Sequence, residues 1–366
     1  MHALKRFGTA FGGYKMMEKY PVPECGPDDI ILEIKAAAIC GADMKHWGVD
    51  NGYDDTNITP DQQQSVRGHE FAGEIVKVGE NVKDWHIGQR VVSDNSAHVC
   101  GVCPACEQGD FLCCEHKVNL GLDNNTWGGG FSKYCKVPGE ILAIHKHAIW
   151  EIPEGIKYEE ACVLDPICNA YKAVAQQSHL IPGQDVVVFG TGPLGLFSVQ
   201  VAKLMGAVNI VMVGLDDDVK VRFGVAKELG ATHCVNGSKE DVVARCTEIC
   251  GRDNLGLVIE CSGANIALKQ AIEMTRPNAE IVRVGMGFKP LEFSINDITA
   301  WNKSIIGHMA YDSTSWRNCI RLLQSGQIKV QPMITHRLGL SQWQEGFDKM
   351  AKKEAIKVIF HYDYED

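Results

Sequence analysis

No stretch of about 18 apolar residues occurs in this chain, so no membrane-spanning helix is expected. The opening residues, Met1-His2-Ala3-Leu4-Lys5-Arg6, hold no apolar signal core. A cytoplasmic location is therefore the expectation. Positive charge is also scarce. Lys and Arg number 36 against 46 Asp and Glu, a formal net charge of -10. A phosphate-backbone surface needs clustered cations, and only short pairs such as Lys5-Arg6 and Lys352-Lys353 are present. Nucleic acid is excluded as a partner on that ground. No repeat or low-complexity tract stands out.

Cysteine, in contrast, is abundant, at 15 residues. In a reducing compartment these are thiols or metal ligands, not disulfides. A chain of 366 residues exceeds one ordinary core, so two domains are expected. The first part, to about residue 160, reads as short strands such as Ile30-Ile34, Glu74-Val78 and Arg90-Val92. From Glu159 to Ser178 the pattern turns helical. Apolar strands at Asp185-Phe189, Asn209-Val213, Leu257-Glu260 and Glu280-Val284 then alternate with helices. Such alternation predicts α/β structure with a doubly wound parallel sheet. After about residue 308 the character is mixed again. The expected division is 1–166, 167–308, and a return of 309–366 to the first domain. His145 and His147 alternate with apolar residues and are expected on a surface strand.

Gly190-Thr191-Gly192-Pro193-Leu194-Gly195 follows an apolar strand and opens a helix. That context makes GxGxxG a dinucleotide turn: the glycines let the backbone approach a pyrophosphate at the helix N-terminus. An acid about 20 residues on should hold the ribose hydroxyls. Asp216 lies 21 residues after Gly195, with Asp217 and Asp218 adjoining. Three carboxylates would repel a 2′-phosphate, so NAD is expected. Arg222, with Lys220, is the feature that would instead suit NADP.

Cys100, Cys103 and Cys106 stand at intervals of three, and Cys114 follows eight residues later with Cys113 beside it. Four thiolates close a tetrahedral zinc site with no open position, which suits a structural role. A second, dispersed set is Cys40, Gly68-His69-Glu70 and Asp165. A thiolate, an imidazole and a carboxylate would leave a catalytic zinc one open position. Sequence distance alone does not show that these groups meet.

The order Cys-Gly-x-Asp, Gly-His-Glu, four-cysteine lobe and GxGxxG resembles the zinc-dependent medium-chain alcohol dehydrogenase family over nearly the whole chain. Gly73-Glu74-Ile75-Val76, Gly128-Gly129-Gly130-Phe131-Ser132-Lys133-Tyr134 and Ala226-Lys227-Glu228-Leu229-Gly230-Ala231 extend the match. Within that family the chain is most similar to the sorbitol and polyol branch, because Asp165-Pro166 stands where polyol enzymes carry glutamate before proline. Trp47 matches a polyol-branch tryptophan and is expected either at the substrate or simply packed as a buried tryptophan. The resemblance implies a GroES-like β-rich catalytic domain and a Rossmann domain. It also implies two zinc ions per chain, NAD, a small polyol substrate such as erythritol, threitol or sorbitol, and a homodimer or homotetramer. An L-threonine-type dehydrogenase and a catalytically silent zinc-binding relative are the alternatives. By position, Cys40, His69 and Glu70 would bind catalytic zinc, with Asp165 a direct ligand or acting through water. Ser262 and Val284-Gly285-Met286 would contact the nicotinamide side. One departure stands out: Ala42 replaces the usual Ser or Thr of the proton path, and Lys45-His46 displaces the expected histidine by one position.

Overall fold

The computed structural model describes residues 1–7, 13–44, 47, 65–123, 126–287 and 289–365. Two compact units emerge: Met1–Asp165 with Ile334–Asp366, and Pro166–Met333. The first is a GroES-like β unit and the second a doubly wound α/β unit.

In the first unit the strand Ile30–Ala38 is central, with burial alternating only weakly because both faces are covered. It pairs antiparallel with Glu70–Val78, Tyr134–Val137 and Lys357–His361. The last strand also runs parallel to Ile334–Gly339, so C-terminal strands complete a sheet that Ile30–Ala38 organises. Leu4, Phe71, Phe131, Phe347 and Phe360 share this core. Burying each such side chain contributes about 1.5–3 kcal/mol.

In the second unit, among the described residues, six parallel strands lie in the order His233–Asn236, Ile210–Gly214, Asp185–Phe189, Leu255–Glu260, Glu280–Arg283, Ser304–Gly307. The order reverses beside Asp185–Phe189. A ligand site therefore belongs at the carboxyl end of that strand. Helix Arg222–Leu229 stops at Gly230, whose φ of 126° lets its N–H turn back to Ala226. Among the described residues, no helix is long and apolar enough to cross a membrane.

Three expectations need correction. The segment 309–333 belongs with the second unit, not the first. Helix Ser313–Gln324 buries Trp316, Cys319 and Leu323 there. Asn318 donates to the Tyr171 hydroxyl at 2.9 Å, and Gln200 bonds the Lys329 backbone from both ends of its amide. The helix read over 159–178 is broken into Tyr158–Ala161, Leu164–Tyr171 and a π-helical Lys172–Gln177. Pro166 lacks the N–H that an unbroken helix would direct at Cys162. His145 is no surface strand residue: it ends the helix Gly139–Ile144 and is 4% exposed.

Candidate active site

Strand ends assemble the dispersed ligand set. Ile30–Ala38 finishes two residues before Cys40, and Glu70–Val78 begins immediately after His69. Ala38 pairs with Glu70 on one side and Ile359 on the other, which brings three distant segments to one place. Donor atoms of Cys40, His69 and Glu70 all lie within 4.8 Å of one another. Gly68 is needed for this approach. Its φ is +89°, and a Cβ there would meet the Phe131 backbone nitrogen at 2.8 Å.

Asp43 organises the set from behind. Its Oδ2 accepts the Cys40 N–H at 3.0 Å, and its Oδ1 takes Arg67 Nη2 at 3.3 Å and stands 4.0 Å from His69 Nδ1. Tyr14 donates to the Asp43 carbonyl at 2.7 Å. At 4.0 Å the Asp43–His69 contact is electrostatic and not a hydrogen bond.

The donor chemistry fits a divalent cation. His69 Nδ1 is buried with no hydrogen-bond partner among the described residues. Burial holds the Glu70 carboxyl well above its usual range, and burial likewise raises the Cys40 thiol. The Lys357 ammonium opposes both shifts. It donates to Glu70 Oε2 and, at 3.0 Å, to the Ile39 carbonyl. One lysine faces two acidic ligands, with Asp165 adding negative potential to both. A bound dication would supply the missing positive charge. Asp165 itself is not among the three close donors. Its Oδ2 accepts Asn95 Nδ2 at 3.1 Å.

The cysteine lobe is a separate cluster. Cys100, Cys103, Cys106 and Cys114 converge within 4.8 Å, whereas Cys113 is exposed. Cys114 Sγ accepts the Cys100 N–H at 3.4 Å and lies 3.6 Å from Cys100 Sγ. The Val102 N–H leads the groups that lower the Cys100 thiol to about 6, while burial pushes Cys106 up to about 12. Four thiols converging in this way can close a tetrahedral donor set.

In the second unit Gly190-Thr191-Gly192 leaves strand Asp185–Phe189, and Pro193 opens the helix Pro193–Leu204. Gly195 is sterically compulsory: a Cβ would stand 1.8 Å from the Gly190 carbonyl oxygen. Around Gly192 there is open space, which is what a pyrophosphate cradle requires. The three acids separate by environment. Asp218 is buried, caps Leu215 N at 2.8 Å and pairs with Arg222 at 3.3 Å. Asp216 holds Asn236 Nδ2 at 2.7 Å and Lys239 at 3.3 Å. Asp217 is exposed. Arg222 is thus engaged by Asp218 and largely buried.

Residues 193–325 match the zinc-binding dehydrogenase family, and residues 26–147 match the alcohol dehydrogenase GroES-like domain. An uncharacterized zinc-type alcohol dehydrogenase-like protein of Escherichia coli (strain K12), YdjL, is 77% identical over 366 residues, covering 100% of both chains. The chain belongs to the zinc-type alcohol dehydrogenases. A sorbitol dehydrogenase of Halalkalibacterium halodurans is 30% identical to this dehydrogenase over 98% of both chains. The solved 2R,3R-butanediol dehydrogenase of Bacillus subtilis superposes with a TM-score of 0.83 at 29% identity, over 99% of both chains.

Other expected contacts of the dehydrogenase resolve as follows. Trp47 packs edge-on against Tyr14, Trp343 and Phe347, and its indole N–H reaches Asp348 at 3.1 Å, the packing alternative to a substrate contact. Ser262 is exposed, Val284 is buried and Met286 is 64% exposed. The loop 48–64 and Lys45-His46 lie outside the described residues. Two functional residues escaped the motif reading. Lys357 is one. Glu260 is the other: fully buried at the end of its strand, it accepts the N–H groups of Ser262 and Gly263 at 2.7 and 2.9 Å and so shapes that loop. An acid inside the apolar run Leu257-Val258-Ile259-Glu260 was the available signal.

Proposed function

We propose that this dehydrogenase oxidises a secondary alcohol of a small polyol to a ketose, with NAD as hydride acceptor. The observation that carries the reading is the convergence of Cys40, His69 and Glu70 within 4.8 Å, three donors of the kind that leave a zinc open to substrate. When bound, the metal supplies Lewis acidity at the alcohol oxygen and the dinucleotide takes up the hydride.

The chain's own residues then have defined tasks. Cys40, His69 and Glu70 hold the catalytic zinc, and Asp165 acts beside them. Asp43 holds the Cys40 N–H beside His69, and Lys357 favours the charged forms of Glu70 and Cys40 against burial. Cys100, Cys103, Cys106 and Cys114 hold the structural zinc. Gly190, Gly192, Pro193, Leu194 and Gly195 cradle the pyrophosphate. The acids after strand Ile210–Gly214 face the ribose side, and Arg222, tied to Asp218, supports NAD over NADP. Ser262, Val284, Gly285 and Met286 serve the nicotinamide end. Position 42 offers no hydroxyl, so the alcohol proton would leave to solvent through water, helped by Glu70 or Asp165.

A homodimer or homotetramer belongs to the same reading. The outer strand Ser304–Gly307 is mostly exposed, with Trp301 51% exposed beside it. A solution mass of one chain would remove this part.

The test is NADH formation on a panel of erythritol, threitol, sorbitol and L-threonine, with zinc counted per chain. Turnover of a polyol with two zinc ions bound is the expected result. Preference for L-threonine would replace the polyol assignment. Silence toward every alcohol in fully zinc-loaded protein would leave a non-catalytic relative.

A further inference from the structure

Asn95 stands between strands Arg90–Ser93 and Ser96–His98, 4% exposed, with φ at 59°. Asparagine tolerates that left-handed geometry better than most residues. The conformation is fully specified by bonds. The Asn95 N–H donates to Ser93 Oγ at 2.9 Å, and the Asn95 carbonyl accepts Leu120 N at 2.6 Å. This leaves the side-chain amide aimed at Asp165 Oδ2, 3.1 Å away.

The neighbouring residue explains why the turn stays in place. Asp94 Oδ1 accepts the Ser96 N–H at 2.9 Å, and the Asp94 N–H donates to the Ala148 carbonyl at 3.0 Å. Its Oδ2 meets His145 Nε2 at 2.6 Å, with both side chains buried. The His145 ring lies on Phe111, centroids 4.2 Å apart. Phe111 begins the turn Phe111–Cys113, which delivers Cys114 to the thiol cluster. A continuous set of contacts thus runs from the cysteine lobe to the carboxylate of Asp165.

We propose that Asn95 is a positioning residue for Asp165, and that the Asp94–His145 pair, seated on Phe111 of the cysteine lobe, holds Asn95 in that task. Asp165 sits in the first turn of helix Leu164–Tyr171, so its backbone is fixed by the helix and its carboxylate by side-chain contacts. A neutral amide holds one oxygen without adding charge. The cysteine lobe then has a role beyond local stability: it sets the floor on which one active-site carboxylate is oriented. The inference rests on the reading of Asp165 as an active-site group.

The experiment is a double-mutant cycle in the zinc-loaded enzyme. Asn95→Gly keeps the left-handed backbone and removes the amide. Losing such a supporting contact costs about 10–100-fold in kcat/KM or in metal affinity. The same substitution in an Asp165→Ala background should then change kcat/KM by less than about twofold, because the partner is gone. His145→Ala should follow the same pattern, and His145→Gln, which can still donate to Asp94, should recover part of the loss. Zinc retained per chain after chelator dialysis gives a second readout, with Asn95→Gly and Asp165→Ala losing catalytic zinc at similar rates. Equal losses from Asn95→Gly in both backgrounds would overturn the proposal as a folding defect. No loss from Asn95→Gly while Asp165→Ala is impaired would overturn it and leave the functional reading standing. Full activity in Asp165→Ala would remove Asp165 from the site and the proposal with it.

Discussion

Lys357 donates to the Glu70 carboxylate although 287 positions separate them in the chain. Both side chains are almost completely buried. The contact exists because Ile30–Ala38 is flanked by the strand that starts at Glu70 and by the strand that starts at Lys357. It places a fixed positive charge against the Cys40 thiol and the Glu70 carboxylate, two of the three donors that converge there.

Lys357→Met keeps the volume and removes the charge. Breaking a buried pair and leaving its carboxylate costs about 3–5 kcal/mol. Glu70, already raised by burial, would then lose its main opposing influence and take up a proton. Denaturant unfolding should show the stability loss, and zinc per chain should fall from two to one. Unchanged zinc content and stability would mean that the pair has no such role.

The exposed Cys113 and the buried Cys114 separate the two possible fourth ligands of the cysteine lobe. Cys114→Ser should cost one zinc per chain and lower thermal stability by an amount typical of a lost structural metal. Cys113→Ser should keep two. Metal analysis on the two variants decides it, and a reversed result would reassign the ligand.

His308 supplies a pH-dependent term in the second unit. Its ring nitrogens face Gln177 Oε1 at 2.6 Å and Asn169 Oδ1 at 3.2 Å. Burial, helped by Lys172, lowers its pKa from 6.5 to about 4. The unfolded chain therefore binds a proton more readily between those values. This contribution is complete above about pH 6.5 and is lost as pH falls toward 4, up to about 3 kcal/mol. Comparing the parent with His308→Gln by chemical denaturation across that window isolates it, because metal release is common to both. A parent-to-variant difference independent of pH would reject the assignment.

Legibility in the sequence followed the range of the contacts. GxGxxG between an apolar strand and a helix is local, and the structure places it at the point where strand order reverses. The cysteine spacing is local too, and only the choice between Cys113 and Cys114 waited for coordinates. The apolar neighbours of His145 mimic a strand, whereas a helix end and Asp94 determine its burial. The amphipathic helix within 309–333 states in sequence which face is apolar, not which core receives it, and the structure seats it in the second unit.

The sequence by itself determined the family, the two-unit α/β plan, the dinucleotide turn and the closed thiol cluster. Each depends on residue types at short fixed spacing, where covalent geometry leaves few alternatives. Only the tertiary structure brought Cys40, His69 and Glu70 together, set Lys357 against Glu70, and joined Asn95 to Asp165. Those meetings depend on sheet register and on the return of the C-terminal strand, which are fixed by packing across hundreds of residues and leave no mark on any local pattern.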